Sequence, residues 1–229
     1  MTTRALKVLS SMAAREVLAE LIRGFITQSG QPVIAEAAGG VEVARRVQAG
    51  DEADVVVLAD SAIDKLIAAS ALRAGRVDLV KSGVAIAVRS GRPRPDVSTE
   101  DAVKAAVEAA SSLSYSTGPS GVYLEKLFAR WGILEAVRPR IVVPPPGVPV
   151  GSLVASGHAA LGFQQLSELL NVAGIEVLGP LPAAIQTITT FSAGISVRCE
   201  QPQLAARLLD YMCQPAANAV KQSYGMEPA

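Results

Sequence analysis

The stretch LKVLSSMAAREVLAELIRGFITQSGQPVIAEAAGGVEVARRVQAGDEADVVVLAD, residues 6–60, decides the fold. Three short apolar runs, LKVLS, PVIAEA and DVVVLA, read as strands because they are brief and rich in β-branched residues. Between them the apolar residues recur at helical spacing: Leu18, Leu21, Ile22 and Phe25 after the first run, then Val43 and Val47 after the second. A further helix is expected from Ser61. Strand, helix, strand, helix, strand implies parallel pairing, because each crossover carries a helix. On such sheets ligands gather at the carboxyl ends of the strands. Here those ends are Ser10 and Ser11, the Gly39–Gly40 turn, and residues 59–61.

The rest of the chain supports the same class. Its 229 residues can bury one large core or two smaller ones. Half of them are hydrophobic and only 4% are aromatic, an Ala/Val/Leu composition suited to helices packed on parallel strands. Lys plus Arg number 21 and Asp plus Glu number 21, which excludes a basic field for nucleic acid and leaves charge recognition to local groups. Cys199, Cys213 and the single histidine, His158, have no metal-ligand spacing. Both cysteines are expected to be buried, and His158 to lie in a surface turn. No GxGxxG, Walker loop, HExxH or Ser-His-Asp arrangement occurs, so neither a cofactor nor a metal is expected. Lys7 interrupts the first apolar run, and no uncharged apolar stretch reaches about 18 residues. The expectation is therefore a cytoplasmic chain with no membrane insertion, or a periplasmic one if a signal has been removed.

After GVAIAVRSGRPRP a second alternating series begins. It contains a helix from Asp101, strand SLSYS, a helix from STGPSGVYLEKLF, strand RIVV, the turn PPPGVPV, a short helix through Leu153 and Val154, strand ALGFQQ, a helix from Leu166 and strand IEVLG. The long segment TITTFSAGISV and the helix LAARLLDYM then return the chain to the first lobe. The expected division is residues 1–84 and 194–229 in one lobe and 85–193 in the other, with two crossings acting as a hinge.

STGPSGVYLEKLF, residues 116–128, sets small hydroxyl and glycine residues against an amphipathic helix. Ser116, Thr117 and Ser120 suit a cap, Pro119 suits the first turn, and Gly118 and Gly121 allow close approach to the backbone. Amides at such a helix start attract an anion without any Lys or Arg. The same residues also suit an ordinary capped helix.

Over nearly the full length, the order of these motifs resembles the molybdate-binding-like family of solute receptors, of the type 2 periplasmic binding protein fold. LKVLSSMAAREVLAEL resembles that family's opening strand and helix, AAGGVEVARRVQAGDEADVVVLAD its next turn, helix and strand, and STGPSGVYLEKLFARWGI the second-lobe helix whose amides hold ligand. SLVASGHAALGFQQLSELL is similar to its closing helix, strand and helix. The resemblance implies a two-lobed α/β fold with a hinge and an interlobe cleft that binds a small anion. It implies ligand contacts from Ser10, Ser11, Gly39, Gly40, Thr117, Ser120, Gly121, Val122, Gln164 and Gln165. Where the family's oxyanion receptors use hydroxyls and a tyrosine, this chain has Ala13, Gly39 or Gly40, and Gln165. That departure, with two planar carboxamides and an open glycine turn, favours an organic carboxylate over a tetrahedral oxyanion. ABC transporter membrane subunits are implied as partners only if the chain is exported. The resemblance also extends to aconitate isomerase, which makes isomerisation of a di- or tricarboxylate the alternative. No base declares itself: Glu36, Asp60 and Glu168 lie nearest the strand ends, where Asp60 also suits a helix cap.

Overall fold

The computed structural model describes residues 4–145 and 147–229. Pro146, within the expected PPPGVPV turn, and residues 1–3 lie outside them. The elements follow in order: β1 (Leu6–Ser11), α1 (Arg15–Ser29), β2 (Val33–Ala38), α2 (Gly40–Gln48), β3 (Val55–Ala59), α3 (Asp60–Ala68), β4 (Val77–Arg89), α4 (Glu100–Ala109), β5 (Leu113–Tyr115) and α5 (Pro119–Arg130). They continue with α6 (Leu134–Val137), α7 (Val150–Ser156), β6 (Leu161–Gln165), α8 (Leu166–Leu169), β7 (Ile175–Pro180), β8 (Ile188–Ile195), α9 (Pro202–Cys213), α10 (Asn218–Ser223) and β9 (Glu227–Pro228). The chain forms two compact units, one from the chain up to Ser82 with Thr190–Ala229, the other Gly83–Thr189.

In the first unit, β1 pairs in parallel with β2 and with β3, and β8 lies antiparallel to β3. Side chains alternate across this sheet. Leu6, Val8, Val55 and Val57 face one layer with Val17, Leu21 and Phe25 of α1 and Leu204, Ala205 and Leu208 of α9. Leu9, Val56 and Leu58 face the other with Val43 and Val47 of α2 and Ile63 and Leu66 of α3. A strand covered on both faces has no polar side, which is why VVVLA of β3 is apolar throughout. Each buried Leu, Val or Phe contributes about 1.5–3 kcal/mol. The start of β3 is anchored by Asp54, 1% exposed, which accepts from Arg4 Nη2 at 3.0 and 3.1 Å and from the Lys7 amide at 2.9 Å.

In the second unit, β5 pairs in parallel with β6, while β6 and β7 both run antiparallel to β4. Val84, Ile86 and Val88 pack with Val103 and Val107 of α4 and Leu124, Leu127 and Phe128 of α5, and Ala85 and Ala87 pack with Leu169 on the opposite side. Thr99 caps α4, accepting from the Ala102 amide at 3.1 Å.

Two expectations require correction. RIVV is no strand: Ile141 makes a single bridge to Leu113, and the prolines that follow cannot extend a ladder. The helix expected from Leu166 is present as α8, four residues long. Cys199 is buried but Cys213, the last residue of α9, is exposed. His158 is exposed, its Nδ1 2.7 Å from Ser156 Oγ. Among the described residues no helix is long and apolar enough to cross a membrane, and no group of three or more His, Cys, Asp or Glu is arranged to hold a metal ion.

Candidate functional site

The first unit brings the carboxyl ends of β1 and β2 together. Their register sets Ser10 opposite Ala37 and Ser11 opposite Ala38, so the Gly39–Gly40 turn begins beside Ser11. Ser10 and Ser11 are both buried. Ser11 opens a 3-10 turn over Met12–Ala14 in an extended conformation, yet its side chain makes no capping bond, and its Oγ has no hydrogen-bond partner among the described residues. Beside it, α2 starts without a side-chain cap at Gly39. Helical bonding begins with the Val43 amide on the Gly39 carbonyl at 2.9 Å, so the amides of Gly40, Val41 and Glu42 precede the first helical bond. Glu42, in that turn, is tied to Arg45 at 2.7 Å.

The two carboxylates nearest the strand ends of this unit, Glu36 and Asp60, are engaged. The Arg46 guanidinium bonded to Glu36 holds its carboxyl below the usual range. Asp60, the first residue of α3, accepts on Oδ1 from the adjacent Ser61 amide at 2.6 Å. A carboxylate held ionised by an arginine is a weak proton acceptor, which disfavours Glu36 as a base.

In the second unit, β5 delivers Ser116, Thr117 and Gly118 to the start of α5. Ser116 Oγ and Ser120 Oγ lie 2.9 Å apart, so Ser116 is a hydroxyl of this turn that the sequence reading left out of the site. Thr117 is exposed, and Val122 is 51% exposed. The amides of Gly121 and Val122 both donate to the Gly118 carbonyl, at 3.1 and 3.2 Å. A Cβ on Gly121 would lie 1.7 Å from the Ser116 carbonyl oxygen. Glycine there serves the closure of the turn itself. Tyr115 OH donates to Glu125 at 3.2 Å, and burial, then the Glu125 charge, pushes its phenol up to about 12. Tyr123 OH donates to the Ile185 carbonyl at 2.8 Å.

At the end of β6, both glutamines are buried and bonded within their unit. Gln164 Oε1 accepts from the Gly151 amide at 3.3 Å, near the start of α7, and its Nε2 donates to Glu168 at 2.7 Å. Gln165 Nε2 donates to Thr189 Oγ1 at 2.9 Å. These carboxamides tie α7, α8 and the start of β8 to β6. Sequence alone cannot pair Gln164 with Gly151, because the two meet only through the fold. The first unit thus gathers Ser10, Ser11, Gly39 and Gly40, and the second gathers Thr117, Ser120, Gly121 and Val122 at one turn and Gln164 and Gln165 at another.

A family model described as bacterial extracellular solute-binding protein matches residues 6–227. Aconitate isomerase of a Pseudomonas species is 41% identical over 191 residues, covering 81% of this chain and 71% of that protein. Among solved structures, the Azotobacter vinelandii periplasmic molybdate-binding protein superposes with a TM-score of 0.80 at 22% identity, over 98% of this chain and 99% of its own. The sulfate-binding protein of Mycobacterium tuberculosis superposes with a TM-score of 0.81 at 12% identity, over 99% and 88%. At these identities the two structures show the shared two-lobed solute-binding-protein fold and no more.

Proposed function

The chain belongs to the family of bacterial extracellular solute-binding proteins, and from that premise we propose that it binds a small organic carboxylate, of the di- or tricarboxylate class. The observation that carries the carboxylate class is the 41% identity with aconitate isomerase, whose named substrate is a tricarboxylate. The chemistry of the turns supports an anion: helix-start amides and hydroxyls, with a buried Ser11 Oγ lacking a partner among the described residues, attract negative charge without a cation. Ser10, Ser11, Gly39 and Gly40 are the residues this reading assigns to the ligand in the first unit, and Thr117, Ser120, Gly121 and Val122 in the second. Gln164 and Gln165 enter it as supports of their turn, given the partners they already hold. If the chain is exported, its partners under this reading are the membrane subunits of an ABC transporter.

The same relative favours a second reading, in which the bound acid is isomerised. Moving a double bond needs a proton taken from one carbon and returned at another, by a base within hydrogen-bond reach. Glu36 and Asp60 are engaged as described, whereas Glu168 stands just past the end of β6, where Gln164 Nε2 donates to it at 2.7 Å. Glu168 is the base this reading selects. Both readings are tested by proton NMR in deuterium oxide with citrate, cis-aconitate, trans-aconitate and succinate. Line broadening without conversion supports binding alone. Conversion with deuterium uptake, lost in Glu168→Gln while binding persists, supports isomerisation. Absence of any effect from all four acids overturns both.

A further inference from the structure

Gly24 stands inside α1, away from both ends, where a glycine costs roughly 0.5–1 kcal/mol against alanine. It is not among the glycines of positive φ, so the backbone does not require it. Tyr211 of α9 does: a Cβ on Gly24 would lie 2.3 Å from the Tyr211 hydroxyl oxygen. The ring lies against α1, edge-on to Phe25 with centroids 5.7 Å apart and planes at 65°. A phenylalanine would pack the same way. The hydroxyl adds a donor and an acceptor that no other group among the described residues uses.

Tyr211 and Gly24 line a cavity of about 130 Å³ among α1, α9 and α10. That is well above the roughly 10–15 Å³ a single water needs. Leu21, Ala217 and Val220 give it an apolar wall, with Leu21 and Ala217 buried. Its polar side chains are Glu20, Tyr211 and Gln214. The Gln214 carboxamide, like the Tyr211 hydroxyl, has no hydrogen-bond partner among the described residues. Glu20 is the one charged residue of the lining, and its Oε2 lies 2.8 Å from Nη2 of Arg23, which is 70% exposed and outside the lining. A carboxylate, a hydroxyl and a carboxamide oxygen, with no cation among them, suit a positively charged hydrogen-bond donor. The apolar wall suits a short hydrocarbon chain behind that donor.

We propose that this cavity is a binding site for a small primary alkylammonium ion. Its N–H groups donate to the Glu20 carboxylate, the Tyr211 hydroxyl and the Gln214 carboxamide oxygen, and its carbon chain lies against Leu21, Ala217 and Val220. Three ammonium hydrogens then meet three acceptors. The site shares no residue with the turns assigned to a carboxylate and stands independently of that reading.

The test titrates the full chain with butylammonium, tetramethylammonium, butanol and butyrate, followed by calorimetry and by amide chemical shifts. Butylammonium is expected to bind saturably, with shifts concentrated at Glu20, Gly24, Tyr211, Gln214 and Val220. Tetramethylammonium lacks the donors and butanol lacks the charge, so each is expected to bind about tenfold more weakly or worse, and butyrate to leave these amides unmoved. Glu20→Gln is expected to weaken butylammonium about tenfold and Tyr211→Phe about threefold, while both melt within a few degrees of the native chain. Arg23→Gln removes the cation that competes for Glu20 and is expected to strengthen binding. Butanol or butyrate moving the same amides as strongly as butylammonium would show that charge is not read there. Absence of saturable shifts at these amides, or native affinity in both Glu20→Gln and Tyr211→Phe, would remove the site. Unchanged or weaker binding in Arg23→Gln would overturn the role given to Glu20, and this variant with the ranking of the four probes decides the matter even if Glu20→Gln or Tyr211→Phe unfolds.

Discussion

A buried hydroxyl that lacks a partner costs about 1–3 kcal/mol, and among the described residues this chain keeps two, on Ser11 and Ser114. Only Ser11 adjoins the uncapped start of a helix, and the two residues therefore make a matched pair. Ser11→Ala and Ser114→Ala are each expected to raise stability, by about 1 kcal/mol, since neither loses a bond. Carboxylate binding should fall in Ser11→Ala alone. Melting curves beside calorimetry would decide it, and equal binding by both variants would remove Ser11 from the site. Lys221 is a second costly residue, 2% exposed on α10. Desolvation holds its ammonium below the ordinary lysine value, opposed in part by the nearby Cys213. Because the folded value lies below the unfolded one of about 10.4, the unfolded chain binds the proton more tightly between the two. The penalty is thus fully present below the folded value and fades as the pH rises toward about 10.4. Lys221→Met should therefore stabilise the chain near neutrality, by about 1 kcal/mol, and progressively less at higher pH. A stabilisation that grew with pH would contradict this account of Lys221.

At the scale of elements, the start of α5 separates what a turn needs from what a ligand needs. Any side chain at position 121 must displace the Ser116 carbonyl, so Gly121→Ala is expected to destabilise the protein by about 1–3 kcal/mol. Denaturant unfolding checks this directly, and a native-like midpoint would show that the turn does not require glycine at 121. The contrast with Gly39, where a Cβ would meet nothing within 4 Å, was not legible in the sequence, where both read as open glycines beside hydroxyls. It depends on a carbonyl folded back over one of them. The parallel series β1 to β3 was legible, because a strand buried on both faces and helices with one wet face leave different periods. RIVV was not, because apolar residues before a proline cluster have the composition of a strand without a neighbour to complete the ladder. The glutamines at 164 and 165 were legible as polar residues at a strand end, but their partners Gly151, Glu168 and Thr189 come from other elements. A residue's type shows what it is able to bond, and the fold decides what it does bond.

For the whole molecule, the order in which the chain visits its two units has consequences for folding. The second unit, Gly83–Thr189, is one continuous segment. Its main core, from Val84 and Ile86 through Val107, Leu124 and Phe128 to Phe163 and Ile185, draws on that segment alone. The first unit is discontinuous. Its core joins Val8, Leu21 and Phe25 from the early chain to Phe191, Ala193, Leu204, Leu208 and Met212 from the end. Strand β3 also takes its antiparallel partner from β8, largely after Thr190. A fragment of residues 83–189 therefore holds a complete core. Residues 4–82 alone expose the apolar face that α9 and β8 cover, at a loss of about 1.5–3 kcal/mol for each large side chain left in water. That loss is comparable with the whole stability of an ordinary domain. The 83–189 fragment is expected to melt cooperatively and to show dispersed amide resonances, and the 4–82 fragment to remain unfolded until a peptide of residues 190–229 is added. Cooperative melting of 4–82 alone, or a disordered 83–189 fragment, would show that the cores depend on the chain in some other way.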